Sequence, residues 1–317
     1  MNSPPGYTAA HEGAAWFDLI GRPRLSLSGK DAASFLHGQC SNDVKGLAPW
    51  SGCRAFILDP LAHPFAQIWI MRRDDDFLVT GPAARRDSLF ARLDRYLHAD
   101  KVVMKDITAQ TGFLTLAGPR AAEILASLGL ALVAGRGSLD GIPIERWPRK
   151  RTAVFGMDLL CERAALPGVT AALTRAGAVA GSPEAMEILR IESGIPACDR
   201  DYSEQNILPE LNQRTSVSYT KGCYIGQEIV ERVRSRGHAN RRLCAVEIAG
   251  DEVPIPGPLL HEGKEAGTLT SVVFSPQLNK VIGLAMVRSE FAEGAQLQNA
   301  EGRGVIVKPL PGATPSA

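Results

Sequence analysis

The chain has 317 residues, of which 45% are hydrophobic and 22% charged, and its 35 Lys and Arg against 34 Asp and Glu give a formal net charge of +1. That is enough apolar material for two or three modules and too much for a disordered chain. The near-neutral balance excludes a global field that recruits nucleic acid or anionic membrane, so any such contact has to be local.

Leu25-Ser26-Leu27-Ser28-Gly29 alternates like a strand, Gly29 marks a turn, and residues 30–36 open a helix. Residues 53–60, 65–71 and 77–81 are strand-like runs in a meander. Residues 88–98 then carry Leu89, Phe90, Leu93 and Leu97 on one helical face. Residues 114–125 repeat the pattern L-x-L-x-G-x-x-A-A-x-x-L of residues 25–36, which reads equally as an internal repeat or as two similar strand-to-helix turns. Short apolar runs between 137 and 161 precede two helices, at 167–176 and 183–192. From 237 onward, strands at 243–248, 267–274 and 281–287 between Pro and Gly turns imply a small all-β module, and 311–317 should fray. The layering is α+β, and no Gly-rich nucleotide loop follows any strand.

Residues 1–15 show no charged segment leading into an apolar one, and no stretch approaches the roughly 18 apolar residues of a membrane span. A cytoplasmic location without membrane contact is therefore expected. The six cysteines, Cys40, Cys53, Cys161, Cys198, Cys223 and Cys244, are scattered without metal-ligand spacing. They read as mostly buried free thiols in a reducing compartment.

Lys221-Gly222-Cys223-Tyr224-Ile225-Gly226-Gln227-Glu228 concentrates the chemistry. Gly222 and Gly226 permit positive φ or close backbone approach. Ile229, Val230 and Val233 follow at helical spacing with Glu228 in the first turn, which places Cys223 just ahead of a helix N-terminus. The helix dipole and the Lys221 ammonium both favour thiolate, so a reactive sulfur is expected rather than a small buried apolar residue.

This K-G-C-Y-x-G-Q-E motif resembles the signature of the YgfZ-type folate-binding proteins, relatives of the glycine-cleavage aminomethyltransferase that serve iron-sulfur enzyme maturation. Phe35-Leu36-His37-Gly38-Gln39, Ser41-Asn42-Asp43-Val44, Arg190-Ile191-Glu192-Ser193-Gly194-Ile195-Pro196 and Pro209-Glu210-Leu211-Asn212 extend the likeness over most of the chain. The resemblance implies an α+β, aminomethyltransferase-like fold of several modules. These are an N-terminal α+β module at 1–110, a second, ferredoxin-like α+β module carrying the motif at 111–236, and a C-terminal β-barrel at 237–317.

It also implies tetrahydrofolate or a derivative as cofactor, with Glu192 holding the pteridine and Arg190, Asn42 and Asp43 about the pocket. A carboxylate suits the paired 2-amino and ring N–H donors of a pterin, and on a helix Arg190 and Glu192 diverge, so only one readily enters a given cleft. The G-x-x-D-D segment that polarises one-carbon transfer in the aminomethyltransferases does not occur between Asp59 and Asp75. Leu58-Asp59-Pro60-Leu61-Ala62-His63 stands there instead, and Asp74-Asp75-Asp76 reads as a solvated hairpin tip. Binding without turnover follows.

The expected function is a tetrahydrofolate-binding accessory factor for maturation or repair of iron-sulfur enzymes, working through Cys223 tuned by Lys221, and not a classical enzyme. The alternatives are a folate-dependent one-carbon transferase and an RNA-binding protein associated with tRNA modification. One cysteine supplies one ligand, so a [2Fe-2S] cluster would be transient and shared with an assembly protein or client enzyme. His238 is a candidate base for a hydrolase reading. Arg232, Arg234, Arg236, Arg241 and Arg242, with Arg149-Lys150-Arg151, are candidates for a basic patch that holds a folate tail or makes weak RNA contact. The strand-like alternation of Arg232, Arg234 and Arg236 also fits a plain solvated face.

Overall fold

The computed structural model describes residues 3–149, 151–152, 154–237, 239–291 and 293–311. The chain begins with α1 (Tyr7–Glu12), β1 (Ala15–Asp18), β2 (Arg24–Ser28), α2 (Ala32–Gln39), β3 (Gly52–Leu58), β4 (Pro64–Arg72), β5 (Asp76–Thr80), α3 (Leu89–Asp94) and β6 (Val103–Asp106). It continues through β7 (Thr111–Ala117), α4 (Ala121–Ser127), β8 (Gly135–Leu139), β9 (Ile142–Pro148), β10 (Gly156–Glu162), α5 (Leu166–Arg175), β11 (Val179–Ala180) and α6 (Pro183–Glu192). The last part is α7 (Gln227–Arg236), β12 (Arg241–Ile248), β13 (Gly257–His261), β14 (Lys264–Ser275), β15 (Lys280–Arg288), β16 (Gln296–Asn299) and β17 (Gly304–Lys308).

The strands form a five-stranded sheet in the order β3-β4-β5-β2-β6, a six-stranded sheet in the order β11-β1-β7-β10-β9-β8, and a closed barrel β12-β15-β14-β13-β16-β17. The fold class is thus α+β with a C-terminal barrel: the spacing of turns and apolar runs predicts the layering and an all-β end, and the family resemblance implies the barrel. The repeated sequence phrase produces the same local unit twice, β2 to α2 through Gly29 and β7 to α4 through Gly118. A Cβ at Gly29 (φ 108°) would lie 2.2 Å from the Lys101 carbonyl oxygen, and one at Gly118 (φ 130°) 2.4 Å from that of Gly13. Only glycine fits either turn.

The chain divides into two units of interleaved segments. The first comprises Met1–Leu36, Val44–Cys53 and Ile68–Leu189. Within it β7 and β10 are buried along nearly their whole length. Leu114, Leu116, Met157 and Leu159 pack with Ile124, Leu125, Val169 and Leu173 of α4 and α5, while Phe113 and Leu160 pack with Met71, Leu78 and Trp147. Both faces of these strands are covered, which is why their sequences run apolar instead of alternating. Helix α3 ends at Asp94, short of the expected 98, because Leu89 and Leu93 are fully buried while Leu97 is only half-buried. Asp74 and Asp75 are exposed at the expected hairpin tip. Asp76 belongs to β5 instead, where it accepts the Ser26 hydroxyl (2.6 Å) and the Arg73 guanidinium (3.2 Å).

Arg149 and Arg151, expected in a surface patch, are buried; Lys150 lies outside the described residues. Both guanidiniums converge on Asp158, whose side chain is 0% exposed, at 3.2 Å from Arg149 and 2.5 Å from Arg151. Arg149 also lies 4.0 Å over the Trp69 ring. Burial pulls the Arg149 pKa down to about 9, with Asp158 opposing. For Asp158 burial acts upward, but the two guanidiniums outweigh it and hold the carboxyl below its ordinary value.

The second unit comprises His37–Asp43, Arg54–Gln67 and Arg190–Ala317. The barrel interior is filled by Val246, Leu259, Leu269, Ala285, Val287 and Val305. A separate core joins Phe56, Leu58, Ile191, Tyr202, Tyr224, Val230, Leu243 and Leu284. It binds the motif segment to barrel strands β12 and β15 through the burial of Tyr224 and Val230.

Asp158→Ala should destabilise the protein by about 3–5 kcal/mol, because it leaves two buried guanidiniums without their carboxylate. Because the folded Asp158 pKa lies below the unfolded value, its stabilisation is full above about pH 4 and is lost as pH falls through the lower folded value. Urea titrations at neutral and acid pH should show the parent losing this increment in acid and the variant lacking it throughout.

Candidate functional site

The motif loop is positioned from within the second unit. The Lys221 ammonium donates to three backbone carbonyls of one short segment, those of His37, Cys40 (2.7 Å) and Asn42 (3.0 Å), and lies 4.8 Å over the Tyr224 ring. An ammonium has three N–H donors, so these carbonyls account for one each. The Ile225 N–H adds a bond to the Gly38 carbonyl (3.2 Å), and the Ser218 N–H one to the Ser41 carbonyl (2.9 Å). Lys221, expected as the partner of the Cys223 thiol, is thus directed at the 37–42 backbone.

Gly226 caps α7 at φ 84°, and a Cβ there would sit 2.6 Å from the Asp59 carbonyl oxygen. Glycine is required at that seat. At Gly222 the backbone is not in the left-handed region, and a Cβ would meet only His37 Nε2, at 3.8 Å. Tyr224 and Gln227 serve the same turn. The Tyr224 N–H donates to Gln227 Oε1 (3.3 Å), and the Tyr224 ring is core. Glu228 holds Arg232 at 2.6 Å on the exposed face of α7. Helix α7 begins only at Gln227, so a turn separates Cys223 from the N-terminus it was expected to adjoin. Cys223 itself is exposed, whereas Cys40, Cys161 and Cys244 are buried and their thiols are pushed up by burial.

His37 Nδ1 stands 3.2 Å from Asp43 Oδ1, which orients the ring so that Nε2 faces Gly222, the neighbour of Cys223. Asp43 was expected to line a pocket, and His37 was not singled out at all. The signal available in sequence was a histidine six positions before Asp43 in the Phe35 to Val44 stretch, but nothing local says that the stretch meets residue 222. His238, the base considered from sequence, lies outside the described residues.

Asn42 has a framework task. Its amide donates to the carbonyls of Arg54 (2.8 Å) and Thr215 (3.2 Å), while the Ser41 hydroxyl donates to the Ser216 carbonyl (2.6 Å). Arg190 is likewise held by protein groups. Its guanidinium donates to the Ile195 carbonyl (2.5 Å), Asp201 (2.7 Å) and the Ser271 hydroxyl (2.8 Å). Asp201 also accepts from the Thr270 and Ser271 hydroxyls, each at 2.6 Å. The end of α6 is thereby fastened to β14. Two residues on, Glu192 is half-buried and accepts the Ser275 hydroxyl on Oε1 at 2.6 Å. The structure therefore gathers Lys221, Cys223, Asn42 and Asp43 about the 37–42 segment, and sets Arg190 and Glu192 beside strand β14.

Two further polar atoms of this unit, Gln39 Oε1 and Tyr224 Oη, are buried without a hydrogen-bond partner among the described residues. Burial pushes the Tyr224 phenol well up. Among the described residues no three His, Cys, Asp or Glu side chains gather as a metal-holding group, and no helix is long and apolar enough to cross a membrane.

Lys221→Met should remove three charge-assisted bonds at once. We expect a loss of roughly 2 kcal/mol or more in urea unfolding and faster amide exchange at Ile225, whose partner is in the released segment.

The N-terminal domain of the glycine cleavage T-protein family matches residues 6–135, and its C-terminal barrel domain matches residues 241–308. An Arabidopsis thaliana protein named as a chloroplastic transferase is 30% identical over 301 residues, which cover 92% of this chain and 69% of that relative. An aminomethyltransferase of Geobacillus thermodenitrificans is 28% identical, over 95% of this chain and 86% of its own length. A tRNA-modifying protein YgfZ of Enterobacter sp. strain 638 is 26% identical, over 90% of this chain and 89% of its own. The fold is that of the glycine cleavage system aminomethyltransferase T from Bartonella henselae, with a TM-score of 0.88 at 18% identity over 96% of this chain and 88% of that one. With both domains matched in order and a relative at 30% identity along most of its length, the chain belongs to the aminomethyltransferase-like, or GcvT-like, family.

Proposed function

We propose that this protein is a tetrahydrofolate-binding accessory factor that supports maturation or repair of iron-sulfur enzymes, with Cys223 as the reactive group. The observation that carries this reading is the exposed Cys223 on a loop clamped by Lys221, next in the chain to Gly222, which the Nε2 of an Asp43-oriented His37 faces. A thiol that reaches such a pair can hand over its proton as it attacks or ligates.

In the chemistry that fits, His37 Nε2 accepts the Cys223 proton and Asp43 stabilises the resulting imidazolium. The thiolate then displaces one cysteinate of a [2Fe-2S] cluster presented by a carrier, and the displaced cysteinate takes up a proton. No electron moves. The carrier supplies the ligands that this chain does not gather.

Glu192 is the residue we assign to the pterin. Ser275 fixes its carboxylate, which can accept the 2-amino and ring N–H donors of the ring. The orphaned Gln39 Oε1 and Tyr224 Oη fit a polar heterocycle, since each buried unpaired group costs about 1–3 kcal/mol until something pairs it. Tetrahydrofolate brings an electron-rich reduced pterin that carries one-carbon units. Arg190 and Asn42 would act by holding the frame, and Asp43 by orienting His37.

Turnover as a one-carbon transferase has less support. Asp59 stands where a catalytic aspartate would be sought. Its Oδ1 accepts the Leu61 (2.9 Å) and His63 (2.8 Å) N–H groups, and its Oδ2 lies 2.8 Å from His63 Nδ1. A carboxylate so engaged in its own turn is poorly placed for a substrate amine.

Cys223→Ala should abolish support of iron-sulfur enzymes in a complementation assay while tetrahydrofolate affinity stays at the parent value; full complementation would remove the thiol from the mechanism. Glu192→Ala should weaken tetrahydrofolate binding in calorimetry by about 1–3 kcal/mol. Unchanged affinity would move the pterin elsewhere, and a glycine-cleavage-type assay that shows turnover would favour the transferase.

A further inference from the structure

A groove of about 720 Å³ runs through the second unit between the 208–219 segment, one face of α7 and the barrel strands β12 and β17. Its floor is apolar, with Val217, Val230, Val233 and Leu310. Five cations line it, Arg214, Arg234, Arg241, Arg242 and Lys308, against one carboxylate, that of Glu293.

The counter-charges behind the wall are uneven. Glu231 stands 3.2 Å from Arg234, Glu210 3.5 Å from Arg241, and Glu247 3.5 Å from Lys308. The Arg214 side chain has no ion pair or hydrogen bond among the described residues. Arg242 gives one nitrogen to the Phe291 carbonyl (3.2 Å), while its Nε is buried with no partner. Two arginines thus have donors to offer an anion.

Tyr219 on the same rim is 38% exposed and carries the Arg234 guanidinium 4.5 Å from its ring centroid. The strand-like alternation of Arg232, Arg234 and Arg236 is resolved as helix. Arg232 turns to Glu228 and Arg234 to the groove, while the Arg236 side chain lies outside the described residues. An aromatic platform above an apolar floor, in a groove where two guanidiniums have donors to spare, suits a flat base on a phosphate chain. A simple anion would need no ring, and a carboxylate chain would offer nothing to stack.

We infer that this groove binds a short stretch of single-stranded RNA, with a base stacked on Tyr219 and phosphates at Arg214, Arg242 and Lys308. The site goes beyond the folate and thiol reading and uses none of its residues.

The test is fluorescence anisotropy of the full chain with a labelled single-stranded RNA oligonucleotide, over salt from about 50 to about 200 mM. Saturable binding is expected, with a log–log salt slope near −2, as three phosphates at roughly 0.7 each give. Arg214→Glu should weaken binding about tenfold and lower the slope by about 0.7. Lys308→Glu, also on the rim, should do the same, and Tyr219→Ala should cost about tenfold with the slope kept. Thermal melts identify any variant that fails to fold, and the remaining ones decide. No saturable binding at the lowest salt, or parent-like binding by both charge reversals, overturns the inference. So does displacement by oligo-γ-glutamate as effective as by unlabelled RNA, with Tyr219→Ala silent, since the groove would then be a carboxylate site. Loss of tetrahydrofolate affinity in folded Arg214→Glu would overturn it too, by making the groove part of the folate site.

Discussion

An ammonium ringed by main-chain oxygens is the constraint on which the second unit depends. Lys221 closes the 37–42 backbone around its charge, and that one contact fixes several things together. Asn42 and Ser41 can then reach the 215–216 backbone, His37 can meet Asp43 and face Gly222, and Cys223 stays outside while Tyr224 goes into the core. Carbonyls bonded to a charged donor hold more firmly than neutral pairs. The motif lysine is therefore better understood as the pin of a loop than as a modulator of the neighbouring sulfur.

Glycine and carboxylate chemistry complete the frame by exclusion and by saturation. Gly226 lets the chain pass against the Asp59 carbonyl, where any side chain would collide. Asp201 collects Arg190, two hydroxyls and the Ala197 N–H (2.7 Å), so the end of α6 has one orientation relative to β14. Glu192 inherits its position from that arrangement. Arg190 and Glu192, both half-buried, show how two charged residues in one short motif divide labour, one tied to Asp201, Ser271 and the Ile195 carbonyl, the other steadied by the Ser275 hydroxyl.

Features with local causes were legible in the sequence. The strand-turn-helix phrase announced Gly29 and Gly118, the Pro and Gly spacing announced an all-β C-terminal module, and the helix after Gly226 followed from Ile229, Val230 and Val233. Features caused by a distant partner were not. Arg149 and Arg151 read as surface because Asp158 gives no sign in sequence that it will be buried between them. Lys221 read as a partner for Cys223 because two positions along the chain look close, while the segment that claims it is far away in sequence. His37 went unnoticed for the same reason, and the arginines of α7 showed a period-two pattern inside a helix whose faces only the fold distinguishes.

The second unit is stitched from two early pieces, His37–Asp43 and Arg54–Gln67, and one long late piece that starts at Arg190. On the ribosome the early carbonyls must therefore wait, solvated and unclaimed, while the whole first unit is made. Only when residue 221 emerges can the pin be set, and only when β17 follows can the barrel close behind it. Contacts of such long sequence separation make folding slow and leave strand edges open in the interval. A nascent chain stalled or cut short before that point would carry the segments of the first unit, two unclaimed early pieces of the second, and no working loop.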